Sequence, residues 1–568
     1  MTVERPGGRT RGWLRRVGPA RAGDRLPKLP MERLGKQGRR DVVILADPAH
    51  PDALRRWLHE FATDRVSVVS VDASCDVGTL TTRVARLNGQ DVIVTVLGAG
   101  ALVSIGNQGD LLAALLLHLR AGGAYVVDKN VDHLRRTPGH LDEILAAAED
   151  RAEGRALSRD ERAVVAYIRN VWNTEEVVVV TKRGRHALKL REDQITDLLP
   201  VREPAIAVSV LEVRPSGRLD LGMDDRSYGP SRADPWPTHL AYPEMTLRHY
   251  EGPVISVGGM RLRAGMSILP ESFRWPHAKN LLNPRYDSVT AQFARPDRRE
   301  PARELAGDHY FADSLFSGHF GHLTTEVLSR LWGWDRARRE IPGLKIFFHT
   351  NPARGKDGSL ERRLFTAFGV PESRLVSSDR PVLLRSVVGA SPMWHNKQPF
   401  YAHPDIKETW SRLTSGLLAG SEPAPHERIF VSRGPSLRNR RGCRNQQDVE
   451  RFFSGRGFHV CYPEELPLSE QARLFAGARV VAGFGGSAMF NLMHCRALEA
   501  AVVISHHAYV ARNEHLFTSL LGGQLHYFWQ PSDIEPPEVG RTKASDNSSF
   551  AFDFAAYGGD LARLLAEL

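Results

Sequence analysis

Five arginines crowd one loop in the C-terminal part of the chain, Arg433, Arg438, Arg440, Arg441 and Arg444, and Asn445 follows them. Guanidinium forks match phosphate oxygens in pairs, so such a cluster suits a diphosphate. One small ligand cannot take all five, and some of them must face solvent. Further along stands Gly483-Phe-Gly-Gly-Ser487, which runs into Met489-Phe-Asn491. It lies where a strand hands over to a helix, and backbone N–H groups at Gly486 and Ser487 can hold a phosphate there with help from the helix dipole. A third group comprises His319, His322 and Glu326. On a helix turning about 100° per residue these share an arc roughly 60° wide, and Leu323, Val327 and Leu331 fill the neighbouring arc. An imidazole four residues before a carboxylate can act as a general base toward a hydroxyl, because the carboxylate orients the ring and supports the imidazolium. The same spacing also suits zinc, and a packing role is open too. Asn445 is placed to cap a helix beginning at Gln446.

The elements that must position these groups can be read from pattern. A short apolar run over 428–431 leads to Arg433, and a helical pattern follows the arginine loop. The sequence then predicts a strand at 458–462, a helix at 469–478 and a strand at 480–482, giving β–α–β–α–β–glycine turn–α order. The His/Glu stripe sits in a helical pattern starting after Tyr310, with a strand at 345–349 behind it. Residues 205–275 favour short strands at 206–213, 253–257 and 260–268, with loops at 222–237 and 285–303. Glu422-Pro-Ala-Pro425 reads as a linker between domains.

The region 41–130 alternates more cleanly. Strands are predicted at 41–45, 65–71, 91–97 and 124–127. Helices are predicted at 52–63, 79–87 and 109–120, the last ending at Gly122-Gly123. Buried strands joined by helical crossovers imply a parallel sheet with helices on both faces. Residues 131–200 look helical and charged, with one strand at 175–180. The basic stretch Thr181-Lys-Arg-Gly-Arg185 reads as a solvated linker or a contact for an anionic glycan or lipid.

At 568 residues the chain is long enough for two or three cores. Hydrophobic residues at 42% and charged residues at 25% are globular composition. A mean hydropathy of -0.32 argues against a multi-pass membrane protein, and the longest apolar runs are far too short to span a bilayer. No secretory signal is visible, and the four cysteines (Cys75, Cys443, Cys461, Cys495) form no CxxC pair. A reducing cytoplasm is therefore the expected location. The net charge of +10 is concentrated in residues 1–40, which hold twelve Lys/Arg against three Asp/Glu. That places the basicity in a disordered tail, not on a nucleic-acid-binding face. The tail either aids solubility or draws the chain to anionic lipid head groups at the inner face of the membrane.

Over 205–568 the chain resembles glycosyltransferase family 61. The resemblance is carried by residues 314–332 with their Gly321-His322-x-x-x-Glu326 core, and by Ile268-Leu-Pro-Glu-Ser-Phe273 and Arg444-Asn445. It continues through Gly457-Phe458, Pro463-Glu464, Leu468-Ser-Glu-Gln471, Ala478 and Gly483-x-x-Gly486-x-x-x-x-Asn491. It implies an α/β fold in which a GT-B-like pair of Rossmann-like domains, 205–420 and 425–568, follows a degenerate Rossmann-like domain at 41–200. It further implies inverting, metal-independent transfer of a sugar from a nucleotide-diphosphate donor to a glycan or lipid-linked glycan acceptor, as in capsular or other surface polysaccharide synthesis. His322 and Glu326 would be catalytic. Arg433, Arg441, Arg444, Asn445, Gly486, Ser487 and Asn491 would bind the donor, with no cofactor beyond that nucleotide-sugar. Three positions depart from the family pattern: Gln446 stands where Glu is usual, Gly485 where many members carry His, and Ser505 where a Glu would suit ribose hydroxyls. Glu514, at a helix start, is the nearest replacement for that last carboxylate.

Residues 41–130 are similar to a class I methyltransferase-like Rossmann domain, most tellingly in Leu119-Arg-Ala-Gly-Gly-Ala-Tyr-Val-Val-Asp128, and Asp72 stands where an acidic residue would bind ribose. The first strand, however, runs into Ala46-Asp-Pro-Ala-His-Pro51 instead of a glycine loop, so a structural or docking domain is expected. Two further classes remain compatible with the sequence. One is a methyltransferase dependent on S-adenosylmethionine, alone or fused to a glycosyltransferase. The other is a non-catalytic glycan-binding assembly protein.

Overall fold

The computed structural model describes residues 2–3, 38–131, 140–149, 157–221, 225–231, 236–352, 358–434, 441–510, 512–538 and 542–568. Most of the basic tail, together with Arg438 and Arg440, lies outside the described residues. The fold is mixed α/β and forms two compact units. One holds residues 1–208 and 261–299, the other 209–260 and 300–568. The cut at 208/209 lies close to the boundary expected near 205, while 261–299 returns to the first unit and no cut falls near 425.

The first unit is built on a seven-stranded sheet. Its order is Thr2–Val3, Arg65–Ser70, Asp41–Ala46, Gln90–Val96, Leu119–Asp128, Val177–Lys182, Ile168–Asn173. The first five strands run parallel and the last two form an antiparallel hairpin at the edge. Thr2 and Val3 thus belong to a strand, not to a disordered tail. Helices cover both faces, so Val42, Ile44, Val92, Val94 and Val126 are fully buried with Leu54 and Trp57 of the helix Pro51–Glu60. Trp57 donates its indole N–H to the buried Asp128 carboxylate at 2.8 Å. Asp76 caps the helix Val77–Arg86 by accepting from Thr79 N.

Three expectations for this unit change. The apolar helix stops at Leu115, and the strand begins at Leu119 and runs through Gly122-Gly123. A bulge lets Leu119 pair with Gln90 and Ala124 with Val92. Gly122 supplies the positive φ of 80°, and a Cβ on Gly123 would lie 2.8 Å from the Asp91 carbonyl. Thr181 and Lys182 are the end of a buried strand, not a solvated linker. Asp72, exposed, accepts from Ser74 N and Oγ, closing a local turn. A smaller four-stranded part joins Leu262–Ala264, Ser267–Ile268, Ala187–Lys189 and Phe293–Ala294, which explains why residues 261–299 belong to this unit.

Beside two small two-stranded ladders, Gly217–Asp220 with His239–Tyr242 and Trp394–His395 with Tyr401–Ala402, the described residues of the second unit form two large sheets. One is all parallel, in the order Arg226–Tyr228, Gln524–Gln530, Ala500–His506, Val480–Phe484, Arg428–Val431, His459–Cys461. The edge strand Arg226–Tyr228 lies inside the stretch expected to be loop. It is held where Leu525 N donates to Asp225, and Tyr228 stacks on Phe528 at 4.2 Å. The other sheet pairs Met245–Ser256 antiparallel with Val382–Ala390, then continues in parallel through Arg303–Phe311, Lys345–His349 and Leu375–Ser378. Phenylalanines 430, 453, 458, 484, 528, 550 and 552 share one buried cluster under the C-terminal helix Phe554–Glu567. Among the described residues, no helix is long and apolar enough to cross a membrane.

Candidate active site at a strand switch point

In the parallel sheet of the second unit, the strand Arg428–Val431 is followed in sequence by its outer neighbour, His459–Cys461. The chain then crosses to Val480–Phe484 on the other side. Strand order therefore reverses between Arg428–Val431 and Val480–Phe484, and open α/β sheets bind ligands at the carboxyl ends of strands at such a point. Arg433 lies just past the first of these strands and Gly485, Gly486 and Ser487 just past the second. The guanidiniums of Arg433 and Arg441 both turn toward Gly486. A Cβ placed there would be 3.0 Å from Arg433 Nη2 and 3.6 Å from Arg441 Nη2. Gly486 also holds a φ of 149°, so the position favours glycine on both counts.

Two guanidiniums side by side in a desolvated place repel one another. Burial, followed by Arg441, lowers the pKa of Arg433 to about 10. Arg433 Nη2 donates to the Gly485 carbonyl at 2.6 Å. Arg441 lies over the Tyr509 ring, 4.2 Å from its centroid, and its Nε is buried with no hydrogen-bond partner among the described residues. The adjoining carboxylate is Glu514, fully buried in the first turn of the helix Asn513–Leu521. Its Oε1 accepts from Gly486 N at 2.8 Å, and its Oε2 has no partner among the described residues. Burial raises its pKa to about 7, against the pull of those backbone N–H groups and the two arginines. A partly protonated carboxyl leaves the pair with surplus positive charge, which an anion would neutralise. The Gly486 N–H, expected to face a phosphate, is committed to Glu514 instead.

His322 and Glu326 belong to a helix that is not regular. One α turn at Phe320–His322 opens into a wide π turn at Leu323–Val327, then tightens over Leu328–Gly333. Thr324 and Thr325 donate their hydroxyls back to the carbonyls of Phe320 and Gly321, contacts that bend a helix. Wide turns of this kind often occur where a side chain has a function. His322 Nδ1 lies 2.7 Å from Glu326 Oε1, and Glu326 Oε2 accepts from Leu315 N at 2.9 Å. With Nδ1–H on Glu326, the lone pair falls on Nε2. The carboxylate is almost fully buried, while the imidazole is 24% exposed. His319 precedes the helix and meets His322 edge-on at 4.9 Å, so the expected three-residue helical stripe reduces to the His322–Glu326 pair. Among the described residues, no three His, Cys, Asp or Glu side chains are grouped to hold a metal ion.

The two groups meet through glycine. A Cβ on Gly321 would lie 2.6 Å from Ser487 Oγ and 3.1 Å from the Phe490 ring, so the helix carrying His322 packs directly on the turn carrying Gly486. Asn513 Oδ1 accepts from Trp394 Nε1 at 3.2 Å and Asn396 Nδ2 at 2.9 Å, tying the base of the Glu514 helix to the segment before Tyr401.

Other expected residues lie elsewhere. Arg444 is largely exposed and pairs with Asp533, so it is not one of the guanidiniums converging on Gly486. Asn445 makes no side-chain cap. It clamps Phe552, donating from Nδ2 to the carbonyl and accepting the N–H at Oδ1, both at 2.9 Å. Asn491 is buried and donates to Gln471 Oε1 at 3.0 Å and to the Ala488 carbonyl. Ser505 and Gly485 are neighbours. A Cβ on Gly485 would touch Ser505 and the Tyr527 hydroxyl, which fills the space behind the turn. Tyr509 and Tyr527 escaped sequence reasoning because neither stands in a motif and only the folded sheet brings them to the arginines.

The family model Glycosyltransferase 61 matches residues 320–503, a span that takes in His322, Glu326, Arg433, Arg441, Gly486 and Ser487 and stops short of Glu514. No curated protein matches the chain. Among solved structures, MycE methyltransferase from the mycinamycin biosynthetic pathway, in complex with Mg and SAH, is 17% identical with a TM-score of 0.20, covering 26% of this chain and 45% of that one. Its complex with Mg, SAH and mycinamycin VI gives the same identity and coverage with a TM-score of 0.19. The chain thus spans less than half the length of those structures, and likeness at that level bears on neither mechanism nor substrate. Residues 320–503 are thus similar to glycosyltransferase family 61.

Proposed function

We propose that this chain is an inverting glycosyltransferase that uses a nucleotide-diphosphate sugar as donor and a glycan or lipid-linked glycan as acceptor. The observation that supports this best is the packing of Gly321 on Ser487, which brings the helix carrying His322 against the turn on which two guanidiniums converge. Arg433 and Arg441 take the charge that grows on the departing diphosphate, with the Ser487 N–H at the start of its helical turn beside them. Glu514, whose second oxygen has no partner among the described residues, accepts a ribose or sugar hydroxyl of the donor. Asn445 and Asn491 hold the walls of the site through Phe552 and Gln471.

The acceptor hydroxyl loses its proton to His322 Nε2 as its oxygen attacks the anomeric carbon. The bond from that carbon to the diphosphate oxygen breaks on the opposite face, which inverts the centre. Glu326 fixes the imidazole and supports its charge through the 2.7 Å contact. The guanidinium pair supplies the neutralisation that a leaving diphosphate needs. Thermal unfolding with UDP-, GDP- and dTDP-sugars tests the donor. A donor at 100 times its Kd adds about 2.7 kcal/mol of stability. If no nucleotide-sugar raises the Tm, the reading fails, and a rise with S-adenosylmethionine alone would favour a methyltransferase.

A further inference from the structure

The chain just before the helix of His322 is a pinned turn. Asp313 follows the strand Arg303–Phe311 and accepts the N–H groups of Met260 at 2.9 Å and His349 at 3.2 Å. Leu315 N donates to Glu326 Oε2 at 2.9 Å, and Gly318 N donates to Glu361 Oε1 at 2.5 Å. Glu361 is buried on the helix Ser359–Ala367. His319 N closes the turn on the Phe316 carbonyl at 3.1 Å, and Gly318 supplies the positive φ of 73° that the turn needs. Three buried carboxylates thus hold the backbone over 313–319, and Phe316 and His319 stand on a loop that the surrounding elements fix in place.

Both of these rings meet His322. The Phe316 ring lies 4.7 Å from the imidazole at 55°, and the His319 ring lies 4.9 Å from it at 78°. The three rings form a corner in which His322 is the shared wall. His319 is exposed, and Phe316 and His322 are half-buried. Nδ1 of His322 faces the buried Glu326 carboxylate, so the exposed side of the ring is the one that carries Nε2. The helix meets the Ser487 turn through Gly321, whereas Phe316 and His319 come from the chain that precedes it.

A general base works within hydrogen-bond reach of the proton it takes, about 2.6–3.2 Å. The atoms next to the reacting hydroxyl must therefore rest on what adjoins the imidazole, and Phe316 and His319 adjoin it. An aromatic ring has a negative face, which suits the C–H face of a pyranose. A neutral imidazole offers one N–H and one lone pair, which complement a hydroxyl. The stretch 314–329 contains no lysine or arginine, so it offers no cation to a phosphate or carboxylate.

We propose that Phe316 and His319 form the seat of the acceptor and select an uncharged pyranose as its reacting sugar. The sugar lays its C–H face on Phe316, places one hydroxyl on His319 and presents another to His322 Nε2. This rests on the transferase reading above and adds to it the class of sugar that accepts.

Ligand-observed NMR titration of the full chain tests the seat. The neutral probes are methyl glucoside, methyl galactoside, methyl mannoside and lactose, and the anionic ones are glucuronic acid and glucose 6-phosphate. At least one neutral pyranoside binds, more tightly than either anionic sugar, and its ring C–H protons receive saturation from the protein. Phe316→Ala weakens that binding at least about tenfold, while Phe316→Tyr, which keeps the ring, stays within about threefold of wild type. His319→Ala, a change at an exposed side chain, weakens it at least about threefold and decides the matter alone if Phe316→Ala does not fold. The proposal is overturned if no neutral pyranoside binds, if an anionic sugar binds as tightly, or if the folded alanine variants titrate like wild type. Failure of the transferase reading shows instead as a Tm that no nucleotide-sugar raises, so the two failures are read from different measurements.

Discussion

At the scale of single residues, Glu514 is the most informative group in the candidate site. Its folded pKa of about 7 lies above the 4.5 of an exposed glutamate. The native state therefore holds its proton at pH values where the unfolded chain has released it. Stability from this group is complete below about pH 4.5 and is lost as pH rises toward 7, by an amount on the order of a few kcal/mol. Glu514→Gln keeps an acceptor for Gly486 N but cannot ionise. Relative to wild type, the variant should gain stability as pH rises from 5 to 8 in denaturant titrations, and an unchanged difference across that range would contradict the account. The same residue marks a limit of sequence reading. It could be named as a carboxylate near a helix start, but its contact with Gly486 depends on a fold that brings together positions 28 residues apart. Likewise nothing local distinguishes Arg441 from Arg444. The ring of Tyr509 draws one inward and the carboxylate of Asp533 draws the other out.

Among the elements, the helix bearing His322 and the turn bearing Ser487 must approach closely, and Gly321 permits it. Gly321→Ala would drive a methyl into Ser487 Oγ and the Phe490 ring. It should destabilise the chain by about 1–3 kcal/mol and depress transfer more than donor binding, because it moves the base relative to the donor. An unchanged Tm together with unchanged turnover would show that the contact is dispensable. Elements of this kind were legible where the pattern is local. The strands Arg428–Val431 and Val480–Phe484 are continuous apolar runs buried on both faces, and the His322–Glu326 spacing survives even in a widened turn. The rest was set by distant partners. Strand Arg226–Tyr228 forms because an open sheet edge at Gln524–Gln530 takes it up. The strand through Gly122-Gly123 forms because the bulge opposite Asp91 needs residues without a Cβ. The wide helical turn follows hydroxyls of Thr324 and Thr325 that a count of 100° per residue does not register.

For the whole molecule, the chain carries two compact units. The second holds the switch-point site inside the span matched by Glycosyltransferase 61, and the first is built on a seven-stranded sheet of its own. The general α/β character and the boundary near 205 followed from alternating apolar strands and helices, but the return of 261–299 to the first unit did not. Residues 261–299 join the first unit by pairing with Ala187–Lys189, and that register is invisible in short apolar runs. The central claim is that one unit contains both a diphosphate clamp and a general base. It is tested most directly by measuring donor affinity and sugar transfer together for Arg441→Ala and His322→Ala, using the nucleotide-sugar that raises the Tm. Loss of a buried guanidinium should weaken donor binding about 10- to 100-fold. Loss of the imidazole should leave donor affinity at the wild-type value and lower turnover by about 10²- to 10⁴-fold. If both variants bind donor and transfer sugar at wild-type rates, neither group does the chemistry assigned to it.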